Sequence, residues 1–326
     1  MFTALQHSAY DDYPYPPAAC IMIVRPRYHW FRLLFIWRGS VVPRILSRLT
    51  LVLVISLLAS WSAPWWVSRH AQSSLNIYIF TLLGVSLAIF LGFRNSASYE
   101  RFWEARKLWG VLLIAGRELA GKSLALAPAA PQTPLLIDGV CAFVYALKGH
   151  LRQDDVSNHL QRLLPQAQYQ RVRAADNQPA LIAAWLQQLL ADLRRNAAIS
   201  DWQWQSLDKN MDALVEAQGG CERISNTPIP FTYRVLLNRT VTIYCMLLPI
   251  GLASSIGWLT PLIAVFVAYT FLALDTLGDE LEEPFGKEGN DLPLAAMSHN
   301  IEASLREIQG VPLAVEAPRP DGIYLH

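Results

Sequence analysis

The fold is decided by residues 75–93, LNIYIFTLLGVSLAIFLGF, which carry no charge and run without a turn signal into residues 94–110, RNSASYERFWEARKLWG. A helix of about 20 apolar residues, rising about 1.5 Å per residue, matches the hydrocarbon thickness of a bilayer. The second segment is basic and amphipathic, which places it in water or among lipid headgroups. Because basic flanks stay on the cytoplasmic side, the sequence predicts one long helix that leaves a membrane on that side.

The composition indicates a protein that is part membrane and part soluble. Of its 326 residues, 53% are hydrophobic and 16% are charged, against about 25% charged in soluble proteins. The formal net charge of +1 gives no reason to expect a nucleic-acid partner. The four cysteines lack metal or redox spacing, and there is no HExxH, GxSxG, P-loop or GxGxxG motif. No enzyme, catalytic residue or metal site is therefore predicted.

Four membrane spans follow from the charge-free runs and their basic flanks. The first runs from Ile45 to about Trp66 behind a cluster of arginines, and the second is 75–93. Residues 240–274 carry no charge and are long enough for two spans, predicted at 232–256 and 259–278. The intervening residues have the three- and four-residue apolar spacing of a helical bundle. An even number of spans places both termini in the cytoplasm.

The prediction is therefore an all-α membrane protein with six segments along the chain. These are a disordered leader (1–21), a cytosolic N-terminal helix (22–44), spans 1 and 2 (45–93), a cytosolic helical domain (94–231), spans 3 and 4 (232–278), and a cytosolic acidic segment with a tail (279–326).

A stripe of large apolar residues runs along the second span. Val85, Ile89 and Phe93 recur every four residues, beside a stripe of small residues at 84, 88 and 92. Small residues let helices approach closely in lipid. In a ring of identical subunits, stacked Val, Ile and Phe would form a narrow apolar constriction of the kind that gates by dewetting. The same pattern also suits a helix that is only buried and lipid-facing.

Two other segments have more than one interpretation. Acidic residues between Asp275 and Asp291 are suited to binding calcium through oxygen ligands, or to forming a solvated helix face. Pro228 and Pro230 interrupt the chain just before the third span. That break is either a structural corner or a rigid backbone beside a permeation path.

Several short motifs together resemble one family. They are W-R-G-S at 37–40, L-G-F at 91–93, R-F-W at 101–103, I-P with a following tyrosine at 229, 230 and 233, and E-P-F-G at 283–286. In this order they resemble the bestrophin family of ion channels, and its bacterial branch in particular.

The resemblance implies a homopentamer around one central pore in the bacterial inner (plasma) membrane, passing inorganic ions. It places the pore neck at Val85, Ile89 and Phe93, the stripe found above, and a cytosolic aperture at Ile229. Animal members pass chloride. A neck without charge does not choose the sign of the ion, so cation selection in the bacterial branch stays open.

The calcium clasp of the family falls here on Glu283, Glu288 and Asp291. Animal members have an unbroken acidic run at this point, whereas Lys287 and Gly289 interrupt it in this chain. Fewer charged ligands bind calcium more weakly, so we expect conduction that does not need calcium and no other cofactor.

Two other functions compete with a channel. A secondary transporter usually has inverted repeats and charged or broken spans at the midplane, and only Pro249 with Gly251 points that way. A membrane-anchored scaffold would use its spans as an anchor and its helical bundle to bind a partner. Substituting Ile89 by alanine distinguishes them, since conduction or gating changes only in a channel.

Overall fold

The computed structural model describes residues 29–316 except Leu34, Arg38 and residues 70–76. The predicted leader 1–21 lies outside the described residues. All regular elements within them are helical, which confirms the all-α prediction for that part of the chain. The helices are α1 (Trp30–Leu33), α2 (Val42–Arg69), α3 (Ile77–Leu126), α4 (Gln132–Arg152), α5 (Ser157–Leu163), α6 (Gln166–Arg173), α7 (Gln178–Arg195), α8 (Asp201–Asn226), α9 (Phe231–Ile256), α10 (Thr260–Glu282) and α11 (Leu294–Gln309).

The prediction of one long helix through residues 75–110 is confirmed over its described part, from Ile77, and α3 continues to Leu126. The predicted helix over 22–44 differs from the structure in its described part. There the chain forms only the short α1 and then turns before α2 begins at Val42. The turn needs Gly39, which has a φ of 77°, and Ser40 Oγ donates a hydrogen bond to the Trp37 carbonyl at 2.9 Å.

The chain divides into two compact units. The first, here the span unit, comprises His29–Phe102 and Pro228–Pro284. The second, here the bundle unit, comprises Trp103–Thr227 and, within the described residues, 285–316. Helix α3 contributes to both. The division falls after Phe102, and Arg94 is buried within the span unit.

The span unit is built from α2, the first part of α3, α9 and α10. Its core consists of Ile45, Val52, Leu87, Leu91, Leu237, Val241, Cys245, Ala268 and Leu272. Helices α9 and α10 are joined by a tight turn at Gly257–Leu259, where the sequence predicts one, and Gly257 supplies the positive φ of 55°. Helix α9 continues without a break past Pro249.

Four stretches of the described chain are long and apolar enough to cross a membrane: Val42–Trp65, Tyr78–Leu126, Gln132–Arg152 and Phe231–Glu282. The third of these is α4, whose most apolar window is 67% buried within the structure. It is the central helix of the bundle unit, packed against α7 and α11. The other three stretches hold α2, α3, α9 and α10, which present exposed apolar side chains such as Leu58, Leu82 and Phe266. These four helices have the length and surface of membrane spans.

The bundle unit has an ordinary apolar core around α4. Its helices begin at recognisable caps: Asn177 accepts from the Ala180 N–H at the start of α7, and Ser200 forms a capping box with Gln203 at the start of α8. Gly139 of α4 lets α7 approach closely, since a Cβ there would lie 2.5 Å from Leu186 Cδ2. Within the described residues the cysteines are unpaired and buried, as their spacing predicts.

Candidate pore-lining site

The predicted neck residues share one exposed face of α3. Val85, Ile89 and Phe93 are 55%, 53% and 66% exposed, whereas Leu87 and Leu91 on the same turns are 4% and 0% exposed. The helix therefore buries its other side in the span unit and presents the stripe outward. Large apolar side chains grouped on an outer face mark a surface that contacts lipid, packs against another subunit or lines a pore.

The neighbouring stripe of small residues is used only in part within the span unit. Gly84 is buried against Tyr244, and a Cβ there would lie 2.6 Å from the tyrosine hydroxyl oxygen. Tyr244 donates a hydrogen bond to the Phe80 carbonyl at 3.3 Å. Gly92, in contrast, has open space where a side chain would be. The small stripe thus seats α3 against α9 at one end and leaves room at the other.

A charged residue continues the neck stripe. Glu100 is exposed and follows Phe93 by seven residues, which on a helix is a rotation of about 20° and an advance of about 10 Å. Its carboxylate side chain therefore starts from the same side of α3 as the neck. The sequence interpretation grouped Glu100 with the other charges of an amphipathic segment and missed this alignment.

On the opposite side of α3, Arg94 is enclosed by carboxylates. Its side chain is fully buried, and its Nη1 lies 2.7 Å from Asp275 Oδ1. Its Nη2 contacts Asp279 and lies 3.6 Å from Glu282 Oε2. Asn238 Nδ2 donates to Asp275 Oδ2 at 3.0 Å. This cluster joins α3, α9 and α10 beside the end of the neck.

The acidic segment at the end of α10 is therefore not a solvated helix face. Asp275, Glu280 and Glu282 are buried, and Glu280 pairs with Arg44 at 3.0 Å. The sequence contained a signal for this arrangement. Arg94 is the first charge after one apolar run and Asp275 the first after another, and charges at the ends of neighbouring spans tend to pair.

Ile229 lies between α8 and α9 and is half-buried. Pro230 is the N-cap residue of α9, with a φ of −52° and a ψ of 125°. The two prolines thus form the predicted corner, and Tyr233 in the next turn donates to the Phe90 carbonyl at 3.4 Å. The assignment of Ile229 as a cytosolic aperture stays a prediction.

The segment 283–293 between α10 and α11, here the clasp-like loop, is held by basic side chains of the same chain. Arg152 donates to the Phe285 carbonyl at 3.2 Å and to the Leu292 carbonyl at 2.8 Å, and Lys287 Nζ lies 2.5 Å from Asp154 Oδ1. Asp291 accepts from the Glu288 N–H at 2.7 Å, and Glu283 is exposed. No group of three acidic, histidine or cysteine residues in the described chain is placed to hold a metal. This donor set does not fit calcium, because a guanidinium already takes the carbonyl oxygens.

A second buried ionic cluster lies in the bundle unit. Glu302 accepts two hydrogen bonds from Arg162, at 2.7 and 2.8 Å, and one from the Tyr145 hydroxyl at 2.9 Å. Burial alone would raise the pKa of Glu302, but the bonds from Arg162 and Tyr145 outweigh it and hold that pKa below its usual value. The ring of His159 stacks on Tyr145 at 4.0 Å. The cluster fastens α11 to α4 and α5.

The chain is similar to known proteins over most of its length. A family model described as Bacterial/Fungal Bestrophin protein matches residues 22–307. A voltage-dependent anion channel-forming protein of Ralstonia nicotianae is 43% identical over 298 residues, covering 89% of this chain and 95% of the relative. One of the same description from Escherichia coli K12 is 40% identical over 287 residues, covering 88% and 94%.

The fold also matches a solved structure. A crystal structure of a bacterial bestrophin homologue from Klebsiella pneumoniae superposes with a TM-score of 0.78 at 39% identity, covering 82% of this chain and 100% of that one.

Proposed function

The chain belongs to the bacterial and fungal bestrophin family, and from this premise we propose that it is the subunit of a homopentameric ion channel. Five copies of α3 surround a central pore, with Val85, Ile89 and Phe93 as its neck. The channel lies in the inner membrane, with both termini and the bundle unit in the cytoplasm, and Ile229 lies at a second, cytosolic constriction. Monovalent inorganic ions pass through it.

The observation that carries the proposal is the outward stripe on α3. Three large apolar side chains are more than half exposed on a helix whose opposite face is packed against α9 and α10. A ring of subunits gives this stripe a role that an isolated span lacks, since it would line a dry and narrow passage. The names of the relatives, channel-forming proteins, agree with that role.

Charge and aromatic residues support the orientation. Arg44, Arg48 and Arg94 gather at one end of the span unit, and Trp61 and Trp65 are exposed towards the far end of α2. Arginines stay on the cytoplasmic side and tryptophans favour the headgroup region. The arginine end is therefore assigned to the cytoplasm.

The sign of the ion has two candidates. The relatives are named anion channels, which favours chloride. Glu100 favours cations, because a ring of carboxylates about 10 Å beyond the neck would attract them. Glu104 is the next charge on that side of α3, four residues further along, and it is paired with Arg223. Lys107 lies about 10 Å beyond Glu100, which is about one Debye length. The reversal potential in a KCl gradient distinguishes the two candidates, by moving towards the chloride or the potassium potential.

We propose further that conduction does not need calcium. Arg152 occupies the two carbonyl oxygens that span the clasp-like loop. Lys287 adds a second positive charge there. An incoming divalent cation would have to displace one charge and approach the other.

Ile89→Ala tests the pore. In planar bilayers, the purified variant should conduct more current per channel or open more often than the parent, because the narrowest apolar ring has been widened. The matched control is Leu83→Ala. Leu83 is 52% exposed against 53% for Ile89, but it projects about 120° away on α3.

Equal and unchanged currents in the two variants would contradict the pore and favour a membrane-anchored scaffold. Flux that saturates and is coupled to a second ion would favour a transporter. The continuity of α9 through Pro249 argues against the broken span typical of transporters.

A further inference from the structure

Arg94 and the neck are carried by the same few turns of α3. Arg94 directly follows Phe93 and projects about 140° from Ile89. Its side chain is completely buried, whereas Phe93 is 66% exposed. Any rotation of this part of α3 that moves the neck side chains must therefore also move the buried guanidinium.

Helix α10 presents carboxylates to this guanidinium at positions 275, 279 and 282, spaced so that all three share one face. Nη1 of Arg94 lies 2.7 Å from Asp275 Oδ1 and 3.4 Å from the Asp275 carbonyl. Nη2 contacts Asp279 and lies within 3.6 Å of Glu282. The close approach of the two helices depends on Gly278, where a Cβ would lie 2.6 Å from Asn95 Oδ1.

Asp275 also holds the remaining helices of the span unit. Its Oδ2 accepts from Asn238 of α9 at 3.0 Å and lies 3.8 Å from Arg48 of α2. One carboxylate thus connects α2, α3, α9 and α10. A buried charge cannot leave its partner without a large loss of free energy.

We infer that Arg94 and Asp275 are positioning residues for the neck: their buried contact sets the rotation of α3 and so the width of the constriction. This inference rests on the proposed pore and adds to it the part that determines its geometry.

The cluster also has unused hydrogen-bonding capacity. Among the described residues, Arg94 Nε, Ser98 Oγ and Glu282 Oε2 have no hydrogen-bond partner. The guanidinium can therefore turn towards Asp279 and Glu282 when Asp275 is neutralised, because an alternative acceptor lies next to it. Loss of the Asp275 charge should rotate the neck rather than unfold the unit.

The test is Asp275→Asn in the full-length protein, with two readouts. The first is open probability in planar bilayers, expected to change about fivefold or more, the size typical of coupling between two sites. The second is the rate at which a water-soluble thiol reagent modifies cysteine introduced by Phe93→Cys, compared with and without Asp275→Asn. Asp138→Asn is the matched control, because Asp138 also pairs with an arginine, Arg306, but in the bundle unit.

A second variant keeps the test informative if the first is unstable. Arg94→Lys keeps a positive charge among the three carboxylates but lacks the planar fork that reaches Asp275 and Asp279 together, so the unit should stay folded while open probability and thiol reactivity are altered. Wild-type values of both readouts in either variant would overturn the inference. If Ile89→Ala alters conduction while Asp275→Asn does not, the pore stands and only the positioning role fails. If Ile89→Ala has no effect, the pore itself fails.

Discussion

Each unit contains an arginine held by buried carboxylates, and the two clusters differ in how completely they are satisfied. In the bundle unit, Arg162 meets a single carboxylate, and both oxygens of Glu302 are bonded. In the span unit, Arg94 meets three carboxylates and leaves polar atoms unpaired. A saturated pair allows one arrangement, whereas a cation with surplus acceptors has alternatives within reach. The first arrangement suits a fixed scaffold and the second suits a helix that must be held at an adjustable angle.

The surfaces of the two units differ in the same sense. The bundle unit buries its leucines, such as Leu186, inside its own helices, as a protein in water must. The span unit turns leucines such as Leu262 outward and buries charges instead. In lipid the hydrophobic effect no longer drives helix packing, so interhelical polar contacts and close van der Waals packing determine it.

The largest effect should come from breaking the saturated cluster. Glu302→Gln leaves Arg162, whose side chain is 28% exposed, and Arg306, 12% exposed, beside a neutral amide. Removing one partner of a fully buried pair costs about 3–5 kcal/mol, which is the upper bound here. We expect a large fall in the melting temperature of the bundle unit, measured by tryptophan fluorescence in detergent. Glu118→Gln, which breaks the exposed pair with Lys122, should change it little, since such pairs contribute about 0.3–0.5 kcal/mol. Equal effects of the two substitutions would show that burial of Glu302 carries no weight.

A pair of leucine substitutions sharpens the contrast between the surfaces. Leu186→Ala removes a fully buried side chain beside Gly139 and should destabilise the bundle unit by about 2–5 kcal/mol. Leu262→Ala removes a side chain that is 69% exposed and should leave the melting temperature in lipid nearly unchanged. A large loss for Leu262→Ala would mean that this leucine packs against another protein surface rather than lipid.

The sequence predicted those features that depend on local periodicity. The continuity of α3, the turn at Gly257 and the outward face shared by Val85, Ile89 and Phe93 follow from spacing along one or two helices. The pairing of Arg94 with Asp275 joins residues 181 positions apart, so no pattern within a helix reveals it. The same is true of Arg152 and the loop carbonyls 133 and 140 positions away. Such contacts depend on how the helices pack, which composition and period do not specify.

Mild acid is expected to have a smaller effect on the melting temperature of the bundle unit. Burial lowers the pKa of His159, and the charges of Lys148 and Arg162 lower it further, while Glu302 opposes them. Burial likewise lowers the pKa of His299. A depressed histidine pKa stabilises the folded state above the unfolded value of about 6.5 and loses that contribution as pH falls below it. The melting temperature should therefore decrease between pH 7.5 and 5.5.

His159→Phe provides the control for this decrease, because phenylalanine keeps the stacking on Tyr145 without a titrating group. The variant should lose part of the decrease. Glu302 does not contribute in this window, since its pKa lies below its ordinary value and its effect begins at lower pH. A decrease of the same size in the variant would assign it to groups elsewhere.

The smallest expected effect is that of calcium on conductance. Conductance in bilayers should be the same in a strong chelator and at about 10 µM free calcium, a level that saturates many sensor sites. Arg152→Gln tests the reason. It frees the Phe285 and Leu292 carbonyls, so calcium should change conductance more than in the parent, although Lys287, which stays paired with Asp154, limits the change. A steep micromolar activation curve in the parent would contradict the proposal, because calcium would then displace the Arg152 guanidinium from the loop carbonyls.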